Sequence, residues 1–156
     1  MNQRLADLNA ERYLLSGIIT GDTEGIETLN EDDFTTDNHR VIFNISNGIY
    51  ADNSVPDILL VASAMNAKGM DSGKILEPII ACDYIPSNRL QHIHILKTYS
   101  AKRQALQALT EITKNLQSDT TMERLQSREQ VVSHMSRTFK EIAMNLKIPV
   151  ILWRSY

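Results

Sequence analysis

Apolar side chains recur along this chain at intervals of three and four, the spacing that gathers them on one face of an α-helix. Leu8, Leu14, Leu15, Ile18 and Ile19 make the first such face, with Asn9 as the expected cap and Gly21 as the stop. A short helical turn is expected over 24–29. Another should start near 30–33, where carboxylates suit the positive end of a helix dipole. Asp37 is placed to cap a longer helix whose face is Ile42, Phe43, Ile45, Ile49 and Tyr50. Asn53-Ser54-Val55-Pro56 breaks that helix. Asp57 then caps one with Ile58, Val61, Ala62 and Met65 on one side and Gly69 at its end. A short helix follows over 72–81.

Ile85 precedes a proline and so avoids helix, after which Ser87 is the expected cap of a helix reaching about residue 118. Its stripe is Leu90, Ile93, Ala101, Ala105, Leu109, Ile112 and Leu116. A helix of ~30 residues is ~45 Å long, more than a small domain can cover, so part of it should project and need a mate. Residues 118–126 show no apolar period and read as a linker. A further helix follows to 146, with Val131, Val132, Met135, Phe139, Ile142, Ala143 and Leu146 on one face. Pro149 separates it from an extended run, Val150-Ile151-Leu152. The pattern predicts an all-α fold: a compact helical N-terminal domain with a long projecting helix over 1–118, a linker over 119–127, a helix and short extended segment over 128–152, and a tail over 153–156. The last helix is expected to fold back on the long one. Candidate interface residues are Leu109, Ile112, Leu116 and Phe139.

Composition narrows the class. The chain has 156 residues, 42 % apolar and 22 % charged, enough for one globular domain and part of another. No apolar run reaches the ~18 residues of a membrane span, and no basic segment leads into an apolar one as in a secretory signal. Cys82 is the only cysteine, so no internal disulfide forms. A buried inert thiol in a cytoplasmic protein is the expectation. The net charge of −3 is uneven: residues 1–60 hold eleven carboxylates and three arginines, a balance of −8, leaving +5 for the rest. Direct DNA binding by residues 1–60 is therefore not expected, because phosphate contact relies on Lys and Arg. Protein partners suit that surface better.

Candidate chemistry is sparse. Gly69-Met70-Asp71-Ser72-Gly73-Lys74-Ile75 superficially resembles a phosphate loop, but its glycines are one residue too close and Ile75 stands where a Mg²⁺-binding hydroxyl is required. It also follows a helix rather than a strand. His92 and His94 are two apart on a helix and diverge, so they read as solvated or interface residues rather than metal ligands. Glu31-Asp32-Asp33 reads as a solvated helix start. No serine elbow or Cys-x-x-Cys is present. No catalytic, cofactor-binding or metal residue is assigned.

Ordered motifs over residues 9–118 carry a family resemblance. They are Asn9-Ala10-Glu11 with Leu14, Gly17 and Ile18; Leu29-x-x-x-Asp33-Phe34; His39-Arg40-x-Ile42-Phe43; Val55-Pro56-Asp57; and Tyr99-Ser100-Ala101-Lys102-Arg103. This stretch resembles the N-terminal domain of the replicative hexameric DNA helicases, the DnaB family. His92 departs from it, since the family often has tyrosine there. The resemblance implies structural signature roles for Glu11, Gly17, Asp33, Phe34, His39, Arg40, Phe43, Asp57 and Arg103. It also implies a collar that self-associates and contacts primase or a helicase loader. ATP and Mg²⁺ belong to the full-length family.

Residues 128–152 resemble a different part of that family, a segment of the RecA-like motor domain beyond its Walker B strand, with Val131 at the pattern's glutamate. Walker A, the catalytic glutamate and Walker B are missing between the two pieces. The tail Trp153-Arg154-Ser155-Tyr156 leaves the family pattern. A one-base deletion can turn a coding string for Ile-Leu-Leu-Ala-Gln-Leu into Ile-Leu-Trp-Arg-Ser-Tyr, so a frameshift after Leu152 is expected, against an unrelated natural terminus. The function expected is that of a replication protein related to the helicase, keeping the collar's protein contacts without autonomous ATPase. The alternatives are a stand-alone adaptor or inhibitor acting on a full-length helicase, and an unrelated helical adaptor.

Overall fold

The structure, a computed structural model, describes residues 6–117 and 128–145. No strand occurs among the described residues. The helices are α1 (Leu8–Ile18), α2 (Glu24–Thr28), α3 (Asp37–Ala51), α4 (Ile58–Ala67), α5 (Ser72–Ile80), α6 (Arg89–Gln117) and α7 (Arg128–Asn145), with 3-10 turns at Glu31–Asp33 and Pro86–Asn88. The all-α expectation and the long helix both stand. The linker 119–127, the run 150–152 and the tail 153–156 lie outside the described residues.

Short polar side chains set the helix starts. Asp57 caps α4 as expected, accepting from the Leu60 N–H at 2.8 Å. Three other caps sit away from the residues first assigned. Asp7, not Asn9, caps α1, accepting from the N–H groups of Asn9 and Ala10 at 3.1 Å each. Thr36, not Asp37, caps α3 through the His39 N–H at 3.2 Å, and Asp37 becomes its first residue. Ser87 lies inside the 3-10 turn that leads into α6 and caps nothing there. For α1, α3 and α4 the cap is the residue whose extended backbone lets its own oxygen face the orphan N–H groups. Gly69 ends the α4 segment at φ +75, a left-handed conformation that favours glycine, and Asp71 then caps α5 through the Lys74 N–H at 3.2 Å.

The chain divides into two compact units between Ala101 and Lys102. The core of the first is drawn from α1 to α5 and the start of α6. Leu14, Leu15, Ile18, Ile19, Phe34, Ile42, Phe43, Val61, Met65, Leu76, Ile79, Ile93 and Leu96 are all buried. The Phe34 and Phe43 rings meet at its centre, 5.1 Å apart and tilted by 34°, an arrangement that adds to plain burial. Cys82 is half-buried rather than buried, and burial pushes its thiol away from the reactive thiolate.

The α6 stripe differs from the one expected. Leu90 is 72 % exposed, and Ala101 and Ala105 are exposed too. In the first unit the buried positions are Ile93, Leu96 and Ser100, and in the second they are Ala108 and Ile112. From Leu96 onward these follow a four-residue ridge. Ser100 belongs to it because its hydroxyl donates to the Asp32 carbonyl at 3.4 Å. An apolarity count passes over such a residue.

Phe43→Ala should cost the first unit about 3–5 kcal/mol, the usual loss for a buried aromatic truncated to alanine. Urea unfolding followed by circular dichroism measures it. A loss below about 1 kcal/mol would remove Phe43 from the core.

Candidate functional site

Four signature residues, Glu11, Asp33, His39 and Arg40, make polar bonds that fix the segment between α2 and α3. Glu11 projects from the middle of α1 and is 1 % exposed. Its carboxylate accepts from the Thr35 N–H at 3.2 Å, from the Thr35 hydroxyl, and from His39 Nδ1 at 2.6 Å. Burial opposes the charge, but the bonds from His39 and Thr35 outweigh it and hold the Glu11 pKa below its ordinary value. The segment between the Glu31–Asp33 turn and α3 is thereby fastened to α1.

Two neighbours complete the fastening. Asp33 was expected to lie in solvent; it is buried, with Oδ2 accepting from the Asn30 N–H at 2.8 Å and from Lys97 Nζ at 2.6 Å. Lys97 stands on α6, so this contact ties the long helix to the segment. Arg40 turns back and donates through Nε to the Phe34 carbonyl at 3.0 Å. Phe34 and Phe43 are the apolar floor of the same region, and Asp57 serves as the α4 cap.

Gly17 has a separate task. The Tyr84 ring lies across it so closely that a Cβ there would fall 2.4–2.7 Å from three ring carbons. Tyr84 donates its hydroxyl to Asp22 Oδ2, which also takes Arg89 Nη1 at 2.6 Å. Burial opposes the Asp22 charge, yet Tyr84 and Arg89 together hold its pKa low. Arg89 also reaches Glu24. Tyr13 stacks on His92, with ring centroids 3.9 Å apart, and its hydroxyl donates to the Ile85 carbonyl at 2.9 Å. The imidazole at 92 is thus used as a flat stacking ring. His94 is exposed, and no group of three or more potential ligand side chains could hold a metal ion among the described residues.

Glu11 and His39 form a carboxylate–imidazole pair of a kind that also occurs in catalysis, but here the carboxylate is buried and bonded on both oxygens. The pair positions backbone. Arg103 is half-buried on α6. In the second unit Leu109 is 54 % exposed, Phe139 40 % exposed, Ile112 buried and Leu116 partly buried. Thr35, Lys97, Tyr84, Asp22 and Arg89 had not been singled out from sequence. Their partners lie far along the chain, up to 67 residues away for Asp22 and Arg89, and no local spacing announces them.

The fold and network define an all-α domain in which Glu11, Asp22, Asp33 and Arg89 hold segments together. Residues 3–98 match the family described as DnaB-like helicase N terminal domain, and the chain belongs to that family. Among solved structures, the N-terminal domain of DnaB helicase from Mycobacterium tuberculosis is similar, with a TM-score of 0.70 and 18 % identity over 90 % of this chain and 100 % of that one. That likeness shows the fold. No curated protein matches the chain.

Because the folded-state pKa of Glu11 lies below its ordinary 4.5, its charge favours folding above that pH, and the contribution drains away as pH falls through the folded value. Urea midpoints measured from neutral pH downward should fall below 4.5, and Glu11→Gln should flatten the part due to this group. Equal slopes for both proteins would refute the assignment. Gly17→Ala should cost about 1–3 kcal/mol as an overpacked site, and Tyr84 fluorescence should change with it. An unperturbed Tyr84 signal would show that the ring tolerates the methyl group.

Proposed function

We propose that this chain is a collar-type interaction module of the replicative helicase, self-associating or joining helicase subunits and meeting primase or a loader in the cytoplasm. The observation that carries the proposal is the Glu11–Thr35–His39 network, in which family-signature residues hold structure rather than run chemistry. Exposed apolar side chains support it: Leu109 and Phe139 in the second unit are of the size that interfaces cover. We read α7 as the motor-like segment, standing as the mate of the second half of α6, and the tail after Leu152 as out of frame.

No autonomous ATPase belongs to this reading. Phosphoryl transfer needs a phosphate cradle and a metal-supporting carboxylate in one site. Gly69 instead follows the end of α4 and Gly73 stands in the first turn of α5, where Asp71 is already spent as the cap. ATP and Mg²⁺ would act in full-length subunits that this chain joins.

The test is co-elution with the host's full-length replicative helicase, read by light scattering. The chain should join or displace helicase subunits, Leu109→Lys should weaken that, and magnesium-dependent ATP turnover should not exceed buffer. A chain that stays monomeric and ignores the helicase overturns the proposal. So does ATP turnover abolished by a mutation within it.

A further inference from the structure

One groove of the first unit lies apart from the Glu11 bonds. It opens between α1, the start of α4 and the segment that follows α5, with a volume of about 440 Å³. Ile19, Ile58, Ile80 and Pro86 give it apolar walls. Tyr84 forms another wall. Its ring is pinned over Gly17 and its hydroxyl is bonded to Asp22, so the groove is shaped before anything enters it. Exposed apolar side chains flank the opening. Ile80 is 49 % exposed while lining the groove, and Ile85, between Tyr84 and Pro86, is 52 % exposed. Leu59, next to Ile58, is 80 % exposed. Val55 is exposed too, with its Cγ1 3.3 Å from the place a Cβ would take on Gly21, one residue beyond Thr20 of the groove. Large apolar side chains gathered around a concave site mark a surface that another molecule covers.

Charge says what covers it. Among the described residues, Asp83 is the one charged side chain lining the groove, and it is exposed and in no ion pair. Asp57, beside Ile58, is also exposed and in no ion pair. Arg89, behind Tyr84, is spent on Asp22 and Glu24. Arg12 is near enough to act on the Cys82 thiol, but it lines no part of the groove and Asp83 opposes it there. Phosphates of a nucleic acid or of an anionic bilayer would meet carboxylates here. The balance of −8 over residues 1–60 points the same way, toward a cationic partner. No strand among the described residues offers an edge for a peptide to extend, whereas a groove between helices takes the apolar stripe of another helix. We propose that this groove binds a basic amphipathic helix of a partner protein, with apolar side chains on Ile58, Ile80 and Ile85 and Lys or Arg beside Asp83 and Asp57. The inference rests on the reading of this chain as a partner-contacting module and supplies the chemistry of one contact.

The test uses the full chain and its only thiol. Cys82 lines the groove, so a helix seated there should shield it from iodoacetamide. The probe is a leucine–lysine peptide of about four helical turns with its leucines on one face. Alkylation should slow several-fold at saturating peptide. Leu59→Ser and Ile80→Ser should each weaken binding about tenfold, the effect of one lost apolar contact. Asp83→Asn should weaken it less and remove part of its salt dependence. Leu109→Ser, in the second unit, should change nothing. Thermal melts matching wild type show that the variants fold, and Asp83, on an exposed connection, keeps the test open where an apolar variant melts early. Unslowed alkylation overturns the proposal, as does wild-type affinity in a folded Leu59→Ser or Ile80→Ser, or an unchanged salt dependence in Asp83→Asn. Equal shielding by a leucine–glutamate peptide of the same pattern, by oligo-dT or by anionic vesicles overturns it too. Shielding that grows with protein concentration in the absence of peptide puts a second copy in the groove and has the same consequence. Peptide binding without helicase co-elution keeps the groove and sinks the collar reading. Co-elution without peptide binding does the reverse.

Discussion

A carboxylate taken out of water must be answered by donors, and in this fold that requirement falls on Glu11. Its two oxygens are met by the Thr35 backbone, the Thr35 hydroxyl and the His39 ring. Breaking such a set leaves an uncompensated buried charge, a defect of about 3–5 kcal/mol. The segment between α2 and α3 has little regular structure of its own, only the turn Glu31–Asp33. Its path follows from where Glu11 holds Thr35 and where Lys97 holds Asp33. Phe34 is then delivered to Phe43, and Arg40 closes on the Phe34 carbonyl. The aromatic centre of the core thus depends on a polar contact at its edge.

Much of the helical layout was legible because it rests on local rules. Glycines at 21 and 69 mark positive-φ positions, φ +101 and φ +75, as their placement at helix ends suggested. Asp57 was legible as a cap because a proline fixes the residue before it and an apolar face follows. Asn9 and Asp37 misled for one reason. Several short polar residues stand in a row at each start, and the backbone selects which of them is extended. Propensity does not rank Asp7 over Asn9 or Thr36 over Asp37.

The long helix shows a second limit. Burial along α6 follows its geometry, and the positions that geometry selects include Ser100 and Ala108, which weigh little on any apolar scale. Leu90 and Leu109 drew attention by size and turn out exposed. The signature residues were legible as a set through family resemblance, but their work was not. Asp33 looked like one member of a solvated acidic run. Only the fold brings Lys97 to it, from 64 residues along the chain.

The same separation explains why motifs that look chemical here are not. A phosphate loop works because a strand delivers successive N–H groups into an open cradle ahead of a helix. Gly69 lies between two helices and Gly73 already inside α5, and the α5 N–H group that could face an anion is taken by Asp71. His92 and Tyr13 make the complementary point: the imidazole packs as a flat ring in a 3.9 Å stack. Arg12 shows what the fold leaves undone. Its burial is paid for by nothing the fold supplies, since its Nε finds no acceptor. The fold answers the charges of Glu11, Asp22, Asp33 and Arg89 from within, and Arg12 Nε shares its lack of a partner with Ser46 Oγ and His92 Nδ1.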